Sequence, residues 1–409
     1  MKTILKLAAI LFTACAAAHA QVVPEATAGP AIVQYALRYS QSGVFISGNQ
    51  TSWQVNASAE VDYANGFQRF PFNLNYGGGY TGTLAGPSYA SGLFQHLLIS
   101  QGYIGRRWNL LASDNVYYLP ESPTTGFSGI PGTGEPIGGT GSTSSSSQSI
   151  LTTNTRMVNN VATGEVGLSL NYATTLSVGG TSQILRFPDG NGTDTSATTA
   201  NLGLTRRLDA RDSLTGQYSF SRFNYGGTTF ILETNTALID FHRAWSRHLI
   251  TDTSVGPQWV NSPGSAALPS STKISANAAV NYQFRFGTAN VSYSHQTNSG
   301  AGYLLGATAD SVNAGLSREF GKNTSLGVSG SYKRNTGLVN NEVISGKFGG
   351  VQATRRLGRY LSLFANYTAI DQSSSFSSSS LQANVLDQLE QVISFGIGYS
   401  PRATHIVRH

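Results

Sequence analysis

Apolar and polar residues alternate with a period of two along much of the chain. Trp53, Val55, Ala57, Ala59, Val61 and Tyr63 are interleaved with Gln54, Asn56, Ser58, Glu60 and Asp62. Phe70, Phe72, Leu74 and Tyr76 alternate with Arg69, Asn73 and Asn75, and Leu214, Gly216, Tyr218 and Phe220 with Ser213, Thr215, Gln217, Ser219 and Ser221. Ile274, Ala276, Ala278, Val280, Tyr282, Phe284 and Phe286 oppose Ser275, Asn277, Asn281, Gln283 and Arg285. The pattern returns around Leu326–Lys333 and Leu361–Thr368. Side chains switch faces at every residue of a strand, so each segment predicts a strand with one apolar and one polar face.

Two features separate these strands from those of a soluble sandwich. They run to about 10–13 residues, whereas globular strands average about 5–6. Their polar faces carry Ser, Asn, Gln and Thr rather than the Lys and Glu of a soluble surface. Tilted strands of about 9–11 residues cross a bilayer, and a dyad alternation is the mark of a membrane barrel.

The connections fall into two kinds. Gly105-Arg106-Arg107-Trp108, Arg206 to Arg211, Arg243 to Arg247, Arg285-Phe286-Gly287, Arg318 to Lys322 and Arg355 to Arg359 are short and basic. Spacing between Asp209, Trp245, Gly287, Gly321 and Gly358 gives a hairpin repeat of roughly 37 residues. The other connections are longer and rich in Ser, Gly and Asn: Pro188 to Ser196, Asn261 to Ser271, Thr297 to Gly302, Asn335 to Asn341 and Gln372 to Ser380. The longest runs from Leu119 to Gln148. Short turns at one end and long loops at the other predict periplasmic and extracellular ends of an outer-membrane barrel. Both termini then share the periplasmic side and the strand number is even. The expected fold is an all-β, transmembrane, antiparallel up-and-down barrel of 16–18 strands, 18 favoured, with a first strand near Ile32–Phe45.

Ile393, Phe395, Ile397 and Tyr399 form a last alternating strand that ends in an aromatic residue. With the architecture above, this terminal pattern resembles the outer-membrane β-barrel porins of Gram-negative bacteria. The resemblance implies residence in the outer membrane, contact with its lipid and lipopolysaccharide, and recognition of the last strand by the barrel-insertion machinery. It also implies a possible homo-oligomer. The family's terminal strand usually ends the protein, whereas residues Ser400 to His409 follow here.

At the amino end Lys2 and Lys6 precede an apolar stretch, Ile4 to Ala18, and Ala18-His19-Ala20 offers a cleavage site before Gln21. This reads as a signal peptide. The competing reading, a lipid on Cys15, meets Phe12 where Leu is usual. The expected division is a signal peptide at 1–20, a short periplasmic segment at 21–30, a barrel at 31–400 with a long extracellular loop at 119–150, and a short periplasmic tail at 401–409. The segment 21–30 is too short to fold as a plug domain.

Composition agrees. Only 11% of the 409 residues are charged, Gly numbers 46, and 19 Tyr, 19 Phe and 4 Trp are present. That is too little charge for a disordered chain and too few acids for a helical bundle. The net charge of +6 becomes +4 without Lys2 and Lys6, and no dense Lys/Arg run marks a nucleic-acid surface. Removal of Cys15 leaves no thiol for a disulfide or metal.

Candidate chemistry is sparse. Asp189-Gly190-Asn191-Gly192-Thr193-Asp194 resembles the start of a calcium loop, but Ala200 stands where a bidentate Glu belongs. His405 and His409 have i,i+4 spacing beyond Pro401, in an expected frayed end, and no H-E-x-x-H or Cys/His cluster exists. No G-x-S-x-G elbow occurs, so no enzyme, cofactor or metal site is expected. Gly77-Gly78-Gly79 and Gly349-Gly350 are expected bends or bulges. Asn384 to Ser394 reads equally as a small helix or as the start of the last strand.

The expected function is passive diffusion of small hydrophilic solutes through a water-filled lumen. Expected lining residues are Asn56, Glu60, Asn73, Asn75, Gln217, Asn281, Gln283, Lys333 and Asn366. The Leu119–Gln148 segment is long enough to fold inward and narrow such a lumen, but its Ser and Gly content favours a disordered surface loop. The alternatives are a structural or secretion barrel, such as an exit for exported polysaccharide, and a surface-binding or adhesive barrel.

Overall fold

The structure is a computed structural model, described for residues 31–46, 50–65, 69–86, 91–119, 156–190, 192–263, 268–300, 304–321, 323–375, 388–401 and 404–406. Its long strands are β1 (Ala31–Ile46), β2 (Gln50–Asn65), β3 (Phe72–Ala85), β4 (Gly92–Ile104), β5 (Trp108–Leu119), β6 (Met157–Ser169), β7 (Thr174–Arg186), β8 (Thr195–Arg207) and β9 (Asp212–Tyr225). They continue with β10 (Ile231–Ala244), β11 (Leu249–Asn261), β12 (Ser271–Phe284), β13 (Gly287–Asn298), β14 (Ala307–Phe320), β15 (Thr324–Gly337), β16 (Val343–Arg356), β17 (Leu361–Ser374) and β18 (Gln388–Tyr399). Each pairs antiparallel with its sequence neighbours, and β1 pairs with both β2 and β18. Eighteen strands thus close into one up-and-down barrel. Closure pairs every strand on both sides, and that is how a sheet satisfies its backbone in hydrocarbon.

Strand lengths of 12 to 16 residues exceed the globular norm of about 5–6. The alternation fixes the register, because a slip of one residue would exchange the two faces along a whole strand. Cross-strand partners therefore keep one face all the way round: Asn56 opposes Ser40, Asn277 opposes Ser294, Ser311 opposes Lys333, and Ser394 opposes Ser42 to close the circle. One irregularity interrupts the register, between Trp53 and Gln54 opposite the end of β3. Of the bends or bulges expected at Gly77–Gly79 and Gly349–Gly350, no bulge forms; these glycines pair regularly with Glu60, Ala59 and Ser58, and with Gly330 and Ser329.

Connections at the end that holds both termini are short turns of two to six residues. Gly321 and Gly358 adopt positive φ there, 66° and 106°, conformations that a side chain resists. At the opposite end lie the longest connections, although β1 and β2 are joined there by only three residues. The Leu119–Gln148 loop falls outside the described residues after Leu119, as do the signal peptide and its Ala20–Gln21 cleavage site. Gln388 to Ser394 belong to β18, so the helical reading fails for that part; residues 384–387 lie outside the described set.

The carboxyl end departs from the frayed tail expected after Pro401. Residues Thr404–Ile406 form a short strand, β19, paired with Ala31–Val33 at the start of β1. β1 is longer than β18 at this end, so its first residues offer free backbone groups that the tail takes up. His405 sits in that pairing, opposite Ile32.

Candidate lumen site

The outward face is apolar and exposed. Ile239, Ile274 and Phe395 each exceed 60% relative exposure, values that water would penalise and lipid would not. Toward the turns this face carries Tyr35, Tyr63, Phe72, Tyr103, Trp108, Tyr282, Phe320 and Tyr399, with ring pairs at Tyr103–Trp108 (4.5 Å), Tyr63–Phe72 (5.9 Å) and Tyr35–Tyr399 (6.4 Å). Phe45, Trp53, Tyr80 and Trp259 stand near the loops. The basic turns meet this ring of aromatics directly: guanidinium groups of Arg243, Arg285 and Arg318 lie over Trp245, Phe286 and Phe320 at 4.3, 4.9 and 4.9 Å.

The register places all nine expected lining residues on the inner face. Asn56, Glu60, Asn73 and Asn75 lie on β2 and β3, Gln217 on β9, Asn281 and Gln283 on β12, Lys333 on β15 and Asn366 on β17. The structure does not bring them together: Glu60 and Asn75 touch, whereas Gln217, Asn281 and Lys333 stand on separate walls. Exposure divides them as well. Asn56 and Lys333, near the loops, are only 3% and 8% exposed, whereas Gln283 at the turn end is open.

This gradient is general. On β1 the inner positions pass from exposed Gln34 through half-buried Arg38 to buried Ser40 and Ser42. On β17 they pass from half-buried Ser362 and Asn366 to buried Thr368 and Ile370. The inner surface is accessible from the turn end and covered at the loop end.

Alternation did not reveal that the inner face turns apolar at the covered end. Phe94, Leu119, Met157, Leu185 and Phe187 form one buried cluster. Tyr225, Phe230, Leu232, Val260 and Leu268 form a second, joined by Phe223, Leu305, Leu338 and Val339. Part of the second cluster's cover comes from the described residues of the β13–β14 loop, 299–300 and 304–306, which pack inward. Tyr225 Oη donates to the Ser299 carbonyl at 3.1 Å, Leu338 N–H donates to Gly306 O at 3.1 Å, and the Thr297 N–H donates to buried Gln258 Oε1 at 2.9 Å. The connection whose described residues pack inward is therefore this one; the Leu119–Gln148 segment, expected as an extracellular loop, lies outside the described residues after Leu119. The useful signal was apolar content, Leu304-Leu305, inside a Gly- and Asn-rich loop.

Charges on the inner strands are also layered. Turn-side of the middle stand Glu60, Asp62, Glu165, Asp240 and Asp252, with Arg38 at mid-height. Arg207, Glu319 and Arg356 mark the turn rim, and Lys273, Lys333 and Glu390 lie in the loop-side half. Inner-face carboxylates outnumber inner-face Lys and Arg among the described strands, although the whole chain is basic. His242 Nδ1 lies 2.6 Å from Asp252 Oδ1 on this face.

A second polar group spans β1 to β4. Arg38 approaches Glu60 at 3.6 Å. Asn75 Nδ2 donates to Glu60 Oε1 at 2.9 Å and also to Asp62 Oδ1. His96 Nε2 meets Asn75 Oδ1.

The calcium-like loop has other business. Asp189 takes two bonds from Arg156 Nε, at 3.0 and 2.9 Å. Asp194 accepts from Arg186 at 3.1 Å and from the Phe187 N–H at 2.9 Å. Among the described residues no group of three or more His, Cys, Asp or Glu side chains gathers to hold a metal.

No family model matches the chain, and no curated protein matches it. Solved structures do. Acinetobacter baumannii OccAB3 aligns over 90% of this chain and 99% of its own, at 8% identity and a TM-score of 0.46. Pseudomonas aeruginosa OpdQ aligns over 90% and 98%, at 9% identity and 0.46. The outer membrane protein OprD of Pseudomonas aeruginosa aligns over 92% and 95%, at 12% identity and 0.42. The architecture described here rests on this chain's own strand pairing.

Proposed function

We propose that the protein is an outer-membrane channel through which small hydrophilic solutes diffuse passively. The observation that carries this reading is the division of one closed 18-strand sheet into an exposed apolar outer face and a polar, charge-bearing inner face. An apolar exterior ringed by aromatics is stable in a bilayer and not in water. Eighteen strands enclose a lumen wider than side chains alone fill. Solutes entering from the turn end meet Ser, Asn, Gln and carboxylate groups that replace lost hydration. The inward β13–β14 loop then narrows the passage, so size exclusion is set near the loop end. Nothing in this route calls for a bond to be made or broken, which accords with a chain that carries no nucleophile elbow or metal motif.

Planar-bilayer recording of the detergent-extracted, folded protein tests the reading. Stepwise conductance increases are the expected result. Silence over many insertions of protein that still migrates as a heat-modifiable barrel would remove the diffusion channel.

One observation favours a second reading. The covered loop end is what a barrel closed at rest presents, so a secretion barrel opened by a partner shares the same wall. That reading expects no conductance from the protein alone and conductance after the β13–β14 loop is released.

A further inference from the structure

Charge on the outer face is distributed unequally between the two ends. In the loop-side half, cations stand beside carboxylates: Arg186–Asp194 at 3.1 Å, Arg222–Glu233 at 3.8 Å and Lys347–Asp371 at 3.4 Å. At the turn end cations outnumber their partners. Arg206, Arg318 and Arg355 lie at the ends of β8, β14 and β16, exposed and opposite Leu214, Leu326 and Leu363 of the apolar face. Arg243 holds the matching place on β10, and Arg285 lies in the turn after β12. Two carboxylates stand near them. Asp212 approaches Arg243 at 3.6 Å, and Asp209 accepts from the Arg211 and Asp212 N–H groups of its own turn. Among the described residues, no carboxylate lies within ion-pair distance of Arg206, Arg285, Arg318 or Arg355.

Aromatic side chains set the height of these cations. The guanidinium groups of Arg243, Arg285 and Arg318 lie over Trp245, Phe286 and Phe320, rings that are themselves 54, 50 and 46% exposed. Aromatic rings at the edge of an apolar band sit at the level of lipid headgroups. A guanidinium stacked on a ring loses side-chain freedom there and keeps its N–H edge for another partner. That edge matches two oxygens of a phosphate. A zwitterionic lipid brings its own cation to such a site, whereas an anionic lipid brings the missing counter-charge.

We propose that Arg206, Arg243, Arg285, Arg318 and Arg355 form a docking collar for anionic phospholipids and bind their phosphate oxygens in the leaflet at the turn end. The collar belongs to the β8–β17 side of the barrel. The β6–β7 turn, Leu170-Asn171-Tyr172-Ala173, brings no cation. Headgroups held along this side fix the depth at which the turn end sits. The collar depends on residence in a membrane and not on the passage of solutes.

The experiment places the full-length folded protein in phosphatidylcholine vesicles that hold a trace of chain-spin-labelled phosphatidylglycerol or phosphatidylcholine. Electron spin resonance then separates lipid held at the protein from bulk lipid. Wild type is expected to hold the phosphatidylglycerol label several-fold more strongly, and added salt should shrink that preference. Combining Arg206→Gln, Arg318→Gln and Arg355→Gln should bring the preference close to one. Equal retention of the two lipids by wild type overturns the collar. So does an unchanged preference in a triple variant that still shifts on heating in a gel. Indifference to headgroup together with retention on purified peptidoglycan also overturns it, and assigns the arginines to cell-wall carboxylates. The wild-type comparison and its salt series need no variant, so a misfolded variant leaves the test standing. Conductance plays no part in the readout, so failure of the collar and failure of the channel reading are distinguishable.

Discussion

Tyr225 Oη donates to the carbonyl of Ser299, 74 residues later, at 3.1 Å, and so ties the end of β9 to a loop that begins four strands away. Tyr225 is buried, and its ring packs on Phe230 with centroids 5.6 Å apart. One hydroxyl thus helps hold the inward β13–β14 loop against the wall.

Tyr225→Phe removes that bond and keeps the ring. The expected cost is about 1 kcal/mol, the usual net value of one hydrogen bond. Because the loop sits in the lumen, the larger effect should be on conductance. Single-channel recordings are expected to show a higher or noisier open level than wild type. Identical traces would mean that the loop is held by its apolar contacts alone.

Gly306 offers a stronger lever on the same loop. It has φ of 77°, and a Cβ there would come within 2.7 Å of Leu232 Cδ2 and 3.0 Å of Leu338 Cδ1. Gly306→Ala therefore strains the backbone and crowds the cluster together. Its loop should become cleavable by added protease while the barrel stays intact. Equal resistance in wild type and variant would argue against a packed loop.

The two faces predict opposite tolerance to charge. Val291 on β13 is 52% exposed on the outer face, while its neighbour Ser292 faces inward opposite Asn313. Val291→Lys should destabilise the folded barrel in lipid by about 2–4 kcal/mol, the range for a cation near the bilayer midplane. Ser292→Lys should be near neutral. Denaturant unfolding in lipid vesicles reads both. Equal effects would show that the assignment of faces is wrong.

Acid should act on connections outside the bilayer. Asp209 Oδ1 accepts from the Arg211 and Asp212 N–H groups at 2.6 and 2.7 Å, which holds its carboxyl below the usual range. Asp189 is held low by Arg156. A depressed folded pKa means that each contribution is full above the unfolded value of about 3.9 and fades as pH falls through the lower folded value. NMR titration of side-chain carboxyl carbons should place both midpoints below an ordinary Asp. Unshifted midpoints would mean that the β8–β9 turn and the Arg156–Asp189 contact are not formed.

The tail makes a limited claim. β19 pairs only with Ala31–Val33, whereas β18 pairs with β1 from Leu37 to Ile46. Deleting residues 404–409 should leave the barrel closed and speed amide exchange at Ala31–Val33 alone. Faster exchange along the rest of β1 would show that the tail matters for closure.

The sequence alone determined the two faces, the approximate strand and turn positions, and the even count. These are local properties: a strand has period two, and short basic turns separated by roughly constant spacing leave few ways to pair neighbours. Thus Asn281 and Ser275 were legible as one face, and Tyr282 and Ile274 as the other. Only the tertiary structure decided which inner residues see solvent. Asn56 and Gln283 look alike in the alternation, but one is covered and the other open. Phe94 and Leu232 break the rule that apolar means outward, because inward-folded chain gives the loop-end interior apolar partners. The meeting of His96, Asn75, Glu60 and Arg38 likewise depends on register across four strands. Alternation says which side a residue takes; its neighbours on that side come from closure of the sheet.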